Sequence, residues 1–274
     1  MTDSRHAGQR KDAITKEDRG RSKLAERHHQ IRQRVQTQGF VTIEQLAREF
    51  NVTPQTIRRD INMLSSAGMI RRYHGGAGTG SSTENVAYTE RKILCSEEKR
   101  RIARAVARQI PDHASLFINI GTTTEAVAQA LTQHKRLRII TNNLNVATIM
   151  SANVNFEVIV TGGLVRQRDG GIIGEATIDF IHQFRVDYGI IGISGIDLDG
   201  TLLDFDYREV RAARAIIDSS RRVFLAADHT KFGRNAMVRL GNIAEIDTLF
   251  TDETPPGGLI EIMSQAEIGL VVAA

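Results

Sequence analysis

From residue 116 onward the chain alternates short apolar segments with stretches of helical character, and this alternation restricts its fold more than any other feature. Six segments have the length and composition of β-strands, namely 116–120, 137–140, 156–160, 188–193, 223–227 and 248–250. Strands that are separated by helices along the chain pair side by side in parallel, with the helices covering both faces of the sheet. The sequence therefore predicts a doubly wound, mostly parallel α/β domain.

The N-terminal quarter has a different pattern, that of short helices joined by tight turns. From Ser22 the pattern becomes helical, with Leu24 as the first apolar residue at helical spacing, and Gly39 is a typical helix stop. A second helix follows, because Thr42 and Gln45 have the spacing of a capping box. Asn51 then provides the turn that leads into a third helix.

The third helix has one apolar face and one polar face. Thr53 is its predicted N-cap, and Ile57, Ile61 and Leu64 form the apolar stripe that it buries. The opposite face carries side chains whose forked or amide groups match base edges in the major groove of DNA. A solvated helix face is the alternative interpretation. The predicted DNA-binding residues of this segment are Thr53, Gln55, Thr56, Arg58, Arg59 and Asn62.

A basic segment after the third helix has the character of a wing, a short strand followed by a glycine turn. It contributes Arg71, Arg72 and His74 to the predicted DNA interface. Residues 1–76 hold 15 basic against 8 acidic side chains, although the formal charge of the whole chain is only +4. This asymmetry indicates that the first quarter meets a polyanion and favours double-stranded DNA over a merely solvated helix face.

The same segments resemble the signature of the DeoR family of transcriptional regulators. Arg27, Ile31 and Val35 precede the sequence TPQTIRRDI at 53–61, and the wing segment 68–77 reads GMIRRYHGGA. The resemblance covers about residues 22–272. It implies a winged helix-turn-helix that binds operator DNA, followed by a sugar-phosphate-sensing domain similar to ribose-phosphate isomerases.

The composition along the chain predicts four parts. Residues 1–21 are polar and mixed in charge, so we expect a disordered extension. Residues 22–77 form the winged helix-turn-helix domain, and 78–90, rich in Gly, Ser and Thr, form a linker. Residues 91–274 form the effector-binding and oligomerisation domain.

Polar residues follow the predicted strands of the second domain. Because ligands bind at the carboxyl ends of strands in open α/β sheets, we expect these residues to surround one pocket. Small hydroxylated residues at a helix start offer N–H and hydroxyl donors to a phosphate. The predicted effector-binding residues are Gly121, Thr122, Thr123, Thr124, Asn142, Asn143, Gly162, Gly163, Asp228 and Lys231.

The family resemblance extends to this domain and implies roles for these residues. The loop Gly121–Thr124 would bind the phosphate, and Asp228 and Lys231 would contact the ligand or close the site. The resemblance also implies glycerol 3-phosphate as the effector that releases the protein from its operator, and a homo-oligomer, dimer or tetramer. Asp204, Asp206 and Glu209 belong to the same pattern without an assigned role.

Three other functions remain open at this stage. A related regulator would sense a different sugar phosphate, and a nucleoid-type protein would bind DNA without a ligand. An isomerase would need a carboxylate base and a cation, which Asp204 or Asp206 and Lys231 could supply. The attached DNA-binding module argues against an enzyme.

Composition limits the cellular setting. There is no apolar segment long enough for a membrane span or a signal peptide, and Cys95 is the only cysteine. We therefore expect a cytoplasmic protein that does not associate with membranes. We expect no cofactor and no bound metal.

Overall fold

The computed structural model describes residues 16–66, 69–73, 75–78, 85 and 88–273. Within these residues, a small N-terminal domain packs against a larger α/β domain. The predicted extension falls partly outside this range, because residues 1–15 are not among those described. His74 and most of the predicted linker also lie outside it.

The N-terminal domain is a winged helix-turn-helix, as predicted. Its helices are α1 (Lys16–Gln38), α2 (Ile43–Glu49) and α3 (Pro54–Ser66). Its antiparallel sheet has the order β1-β3-β2, with β1 at Phe40–Thr42, β2 at Arg71–Tyr73 and β3 at Gly76–Gly78. The apolar stripe predicted for α3 is buried with Ile31 and Leu46, so the three helices share one core.

Two boundaries differ from those predicted. Helix α1 begins at Lys16, so the assignment of residues 16–21 to a disordered extension is wrong. A helix extends from a packed segment into neighbouring residues that have no apolar stripe, because only its nucleation is costly. Helix α4 (Tyr88–Ile93) begins inside the segment predicted as a linker.

The larger domain is built on a seven-stranded parallel sheet of the order β15-β14-β12-β9-β4-β5-β6. The six predicted strands are present in it. Their bounds are β4 at Ser115–Ile118, β5 at Arg138–Thr141, β6 at Glu157–Val160, β9 at Val186–Ile191, β12 at Ser220–Ala226 and β14 at Thr248–Thr251. The edge strand β15 (Gly269–Val272) was not predicted.

Helices cover both faces of this sheet, and each face has its own apolar core. One core packs under α5 (Ser96–Gln109), α6 (Thr122–Leu131) and α7 (Leu144–Ser151). The other packs under α8 (Glu175–Ile181), α9 (Tyr207–Asp218) and α10 (Gly257–Gln265). The predicted doubly wound α/β architecture is confirmed.

Smaller antiparallel elements, which sequence periodicity did not indicate, rise from the carboxyl edge of the sheet. One is a hairpin of β7 (Leu164–Arg166) and β8 (Gly171–Ile173). The other is a three-stranded sheet of β10 (Gly195–Ile196), β11 (Thr201–Asp204) and β13 (Val238–Asn242). Among the described residues, no helix is both long enough and apolar enough to cross a membrane.

Candidate DNA-binding and effector sites

The polar face of α3 is open to solvent. Thr53, Gln55, Arg58, Arg59 and Asn62 are exposed and Thr56 is half-buried, whereas Ile57, Ile61 and Leu64 are buried. The Thr53 hydroxyl accepts a hydrogen bond from the backbone N–H of Thr56 at 3.2 Å, so Thr53 caps the helix as predicted. The structure thus brings the predicted α3 residues to one surface, with side chains free to enter a groove.

An ion pair fixes this helix against α1, and sequence periodicity gave no sign of it. Asp60 lies on α3 between the predicted reading residues, and its side chain is only 3% exposed. Arg27 donates to both of its carboxylate oxygens, at 2.6 and 3.2 Å, and the His28 ring nitrogen Nε2 lies 3.1 Å away. Because buried carboxylates are costly without partners, this pairing holds α3 in one orientation.

The wing residues Arg71 and Arg72 lie on β2 with exposed side chains. Strand β3 pairs with both β2 and β1, so the wing is joined to the strand that follows α1. Their exposure and charge suit contacts with backbone phosphates.

The candidate effector site lies where the order of the large sheet reverses, between β4 and β9. Strands β5 and β6 continue from β4 in one direction, and β12, β14 and β15 continue from β9 in the other. Such a switch point leaves a crevice at the carboxyl ends of the two strands. Residues that line this cleft are Arg91, Gly121, Thr122, Thr123, Gly192, Ser194, Asp204, Glu209, Lys231 and Arg234.

One wall of the cleft is the N-terminus of α6. Gly121 has φ of +147° and leads directly into the helix without a side-chain cap. The buried Thr124 hydroxyl donates to the carbonyls of Asn119 and Gly121, at 2.7 and 2.8 Å, which fixes the loop from within. The first N–H groups of a helix have no partner inside it, so Thr122 and Thr123 present donors to the cleft.

The opposite wall carries two buried cations. Arg234 is 4% exposed; it donates to the Ser194 carbonyl at 3.1 Å and to Asn85 Oδ1 at 2.7 Å. Within the described part of the chain, no carboxylate lies within ion-pair distance of it. Lys231 Nζ is 3.7 Å from Asp228 Oδ2. Two largely buried cations, of which Lys231 alone lies close to a carboxylate of the described residues, favour an anionic ligand.

The pKa values of the two cations agree with this interpretation. Burial and the nearby charges of Arg234 and Lys99 lower the pKa of Lys231 to about 8, although Asp228 opposes the shift. Burial and the charge of Arg91 lower the pKa of Arg234 to about 10. An anion bound beside both groups would stabilise their charged forms and so raise both pKa values.

Carboxylates form the remaining side of the cleft. Burial and the neighbouring charge of Asp204 raise the pKa of Glu209 to about 7, although Arg166 donates to it at 2.7 Å. Burial also raises the pKa of Asp204, whose Oδ1 accepts from the Ser194 hydroxyl at 3.0 Å. These groups supply hydrogen-bond acceptors suited to the hydroxyls of a polyol.

Several predicted effector residues hold the structure around the cleft and do not line it. Asn143 caps α7 through Oδ1 and donates to Glu125 at 3.2 Å, and Asn142 donates to the Ile172 carbonyl at 3.3 Å. The Gly162 carbonyl accepts from Thr177, whose hydroxyl fills the space next to Gly163.

Asp228 lies beneath the cleft. It caps the 3-10 turn His229–Lys231 by accepting from the Thr230 N–H at 3.1 Å. Although its burial raises the value, the charges of Lys231 and Lys99 lower the pKa of Asp228 to about 2. Of the predicted effector residues, the structure brings Gly121, Thr122, Thr123 and Lys231 together at the cleft, with Asp228 holding Lys231 from below.

The residues that sequence reasoning missed come from distant segments. Arg91 belongs to α4, Ser194 follows β9, and Arg234 follows the 3-10 turn. Ser194 lay in a polar strand end that the sequence made visible. Arg91 and Arg234 gave no such signal, because neither follows a predicted strand directly.

Comparison with known proteins agrees with both halves of the chain. The model of the DeoR-like helix-turn-helix domain matches residues 27–83, and that of the DeoR C terminal sensor domain matches residues 94–253. The chain belongs to the DeoR family. It is a DNA-binding transcriptional repressor of this type and not an enzyme, since its relatives are repressors.

Two relatives carry the same name. The glycerol-3-phosphate regulon repressor of Escherichia coli is 54% identical over 90% of this chain and 98% of its own length. The glycerol-3-phosphate regulon repressor of Haemophilus influenzae is 51% identical over 90% of this chain and 96% of its own length. Ribose 5-phosphate isomerase A from Neisseria gonorrhoeae superposes with a TM-score of 0.36 at 12% identity, covering 49% of this chain and 52% of that chain. Similarity at that level supports no inference about ligand or activity.

Proposed function

We propose that this repressor controls genes of glycerol or glycerol-3-phosphate metabolism, and that glycerol 3-phosphate releases it from its operator. The proposal rests on two sets of groups that line one cleft. The first is a helix N-terminus with largely buried cations, and the second is a pair of carboxylates. A phosphate requires the first set, and hydroxyl groups suit the second. The name shared by the two relatives supports the same effector.

In this arrangement the phosphate binds to the N–H groups and hydroxyls of Thr122 and Thr123, between Lys231 and Arg234. Charge-assisted hydrogen bonds of this kind contribute about 1.5–3 kcal/mol each. The glycerol hydroxyls then donate to Asp204 and Glu209 on the far side of the cleft. An unphosphorylated polyol would leave the buried cations without their counter-charge.

The finer details of assembly and location follow from the same proposal. A repressor that reads palindromic operators binds as a symmetric oligomer, so we propose a dimer or tetramer in the cytoplasm. The other candidate effector is a different sugar phosphate, which the same anion site would accept. Only the contacts to the hydroxyls would distinguish the two.

The test begins with an operator duplex selected from a random library by the ligand-free protein. Fluorescence anisotropy then measures release of that duplex by glycerol 3-phosphate, ribose 5-phosphate, inorganic phosphate and glycerol, with calorimetry on the same set. Release at the lowest concentration by glycerol 3-phosphate is the expected result. Stronger release by ribose 5-phosphate would assign another effector, and equal release by glycerol would contradict the phosphate site itself.

A further inference from the structure

The turn that carries the cations of the cleft also contacts the DNA-binding domain. Lys231 lines the effector cleft and also a second small cavity, into which Gln38 projects from the end of α1. Gln38 Oε1 is buried there without a hydrogen-bond partner among the described residues. One short segment, 229–234, therefore has the ligand site on one side and α1 on the other.

Arg234 makes the second of these contacts. Gly39, with φ of +78°, ends α1, and a Cβ built on it would lie 3.0 Å from the Arg234 guanidinium. The same guanidinium donates to Asn85, in the segment that joins the domains, and Asn85 in turn donates to the Ser194 hydroxyl at 3.4 Å. A side chain at the effector site thus touches both the DNA-binding domain and the connection to it.

His229 makes the third contact. Its Nδ1 lies 2.6 Å from Asp252 Oδ2, so the proton of Nδ1 is directed at that carboxylate. Its Nε2 lies 3.1 Å from the Gln45 side-chain nitrogen in α2. The capping box predicted for Gln45 is only half formed for this reason: its N–H binds Thr42 at 3.1 Å, but its side chain points to His229.

This contact persists in either protonation state of the histidine. When His229 is neutral, Gln45 donates to Nε2, and its own Oε1 is buried without a hydrogen-bond partner in the described part of the chain. When His229 is protonated, a reversed amide accepts from Nε2 instead. A protein that only needed to cap α2 would direct Gln45 back to its own helix.

We propose that the segment 229–234 transmits effector occupancy to the DNA-binding domain, with His229–Gln45 and Arg234–Gly39 as the contacts that ligand binding breaks. The inference rests on the proposed function, because it requires an anion in the cleft. An anion draws Lys231 and Arg234 toward the N-terminus of α6 and so away from Gln38 and Gly39. Docking of the domains and ligand binding therefore oppose each other, and reciprocity requires that each weakens the other by the same factor.

The decisive measurement needs no DNA. Gln45 lies in α2, on the DNA-binding side of the contact, and it does not line the effector cleft. Gln45→Ala removes the docking contact, so calorimetric affinity for glycerol 3-phosphate should rise roughly two- to tenfold, the effect of losing one neutral hydrogen bond. Gln45→Glu offers a carboxylate to protonated His229, so the same affinity should fall by a similar factor.

Glu49→Gln is the matched control. Glu49 lies on the same helix and pairs with Arg34 of α1, within the DNA-binding domain. This variant should bind glycerol 3-phosphate like the wild type. Equal affinities for the wild type and both Gln45 variants would overturn the inference while leaving the proposed effector in place. A wild type that binds none of the phosphorylated compounds would instead contradict the proposed function.

Discussion

The two functional surfaces of this repressor are built in opposite ways. The proposed DNA-reading face of α3 comes from one continuous segment, is exposed, and rests on an apolar stripe of the same helix. The proposed effector cleft is buried and takes its residues from α4, from the ends of β4 and β9, from β11 and α9, and from segment 229–234. A surface of the first kind is visible in sequence periodicity, whereas one of the second kind depends on how the chain folds.

The two surfaces also differ in the burial of their charged side chains. Arg58 and Arg59 are solvated before DNA arrives, so they need no internal partner. Lys231 and Arg234 are largely buried, and this burial, with a smaller contribution from neighbouring cations, lowers both pKa values. An anion bound beside them would offset part of the cost of burying these charges, and this is the physical source of the affinity that we propose.

The largest expected effect tests how the exposed surface is supported. Asp60→Asn removes the charge that Arg27 and His28 share. Breaking a buried ion pair typically costs 3–5 kcal/mol, and we expect about 3 kcal/mol because Arg27 reaches solvent. Urea unfolding of the full-length chain, followed by circular dichroism, measures the loss. Glu49→Gln, which breaks an exposed pair, should change stability by less than about 1 kcal/mol.

The next effect tests the buried site. Lys231→Met keeps the unbranched stem of the side chain to within one atom but removes its charge, so affinity for glycerol 3-phosphate should fall roughly 10- to 100-fold. Calorimetry measures it, with Lys135→Met, on the exposed surface, as the control. A fall of less than about threefold would place the phosphate elsewhere. Because Lys231 also borders Gln38, operator affinity of this variant should be measured as well.

Specific DNA reading gives an effect of similar or smaller size. Arg58→Ala should weaken binding of the selected operator by about 1–3 kcal/mol if the side chain reaches a base edge. Anisotropy with operator and scrambled duplexes separates base contacts from phosphate contacts, since only the former change the ratio of the two affinities. Arg104→Ala, exposed on α5, serves as control. An unchanged ratio would mean that Arg58 does not read bases.

The smallest effect is the dependence of effector binding on pH. The pKa of Lys231 is about 8 in the free protein, so its side chain loses its charge as the pH rises through that value. The phosphate of the effector then loses a cationic partner. A phosphate monoester becomes a dianion only above pH about 6. Affinity should therefore be highest between these values and fall by up to tenfold per pH unit above 8. Glu209→Gln removes another titrating group of the cleft, and in this variant the loss of affinity above pH 8 should remain. If that loss disappears, Glu209 and not Lys231 causes it.

The sequence predicted those features that a single segment determines. The stripe of Ile57, Ile61 and Leu64, the stop at Gly39 and the six central strands all follow from local periodicity and conformation. Arg91 and Arg234 reach the cleft only because a helix and a loop distant in sequence fold over it. Asn142 and Asn143 show the converse, since polar residues after a strand also serve to cap the next helix and to hold its loop.

The ion pair between Asp60 and Arg27 means that different residues of α3 orient the helix and face the solvent. Arg58 and Arg59 stand beside Asp60 in sequence, yet their side chains are exposed and carry no share of that ion pair. Substitutions at the exposed positions can therefore alter which bases are read without changing how the helix is held. A change of operator preference would thus require substitutions at the exposed positions, and not at Asp60 or its ion-pair partners.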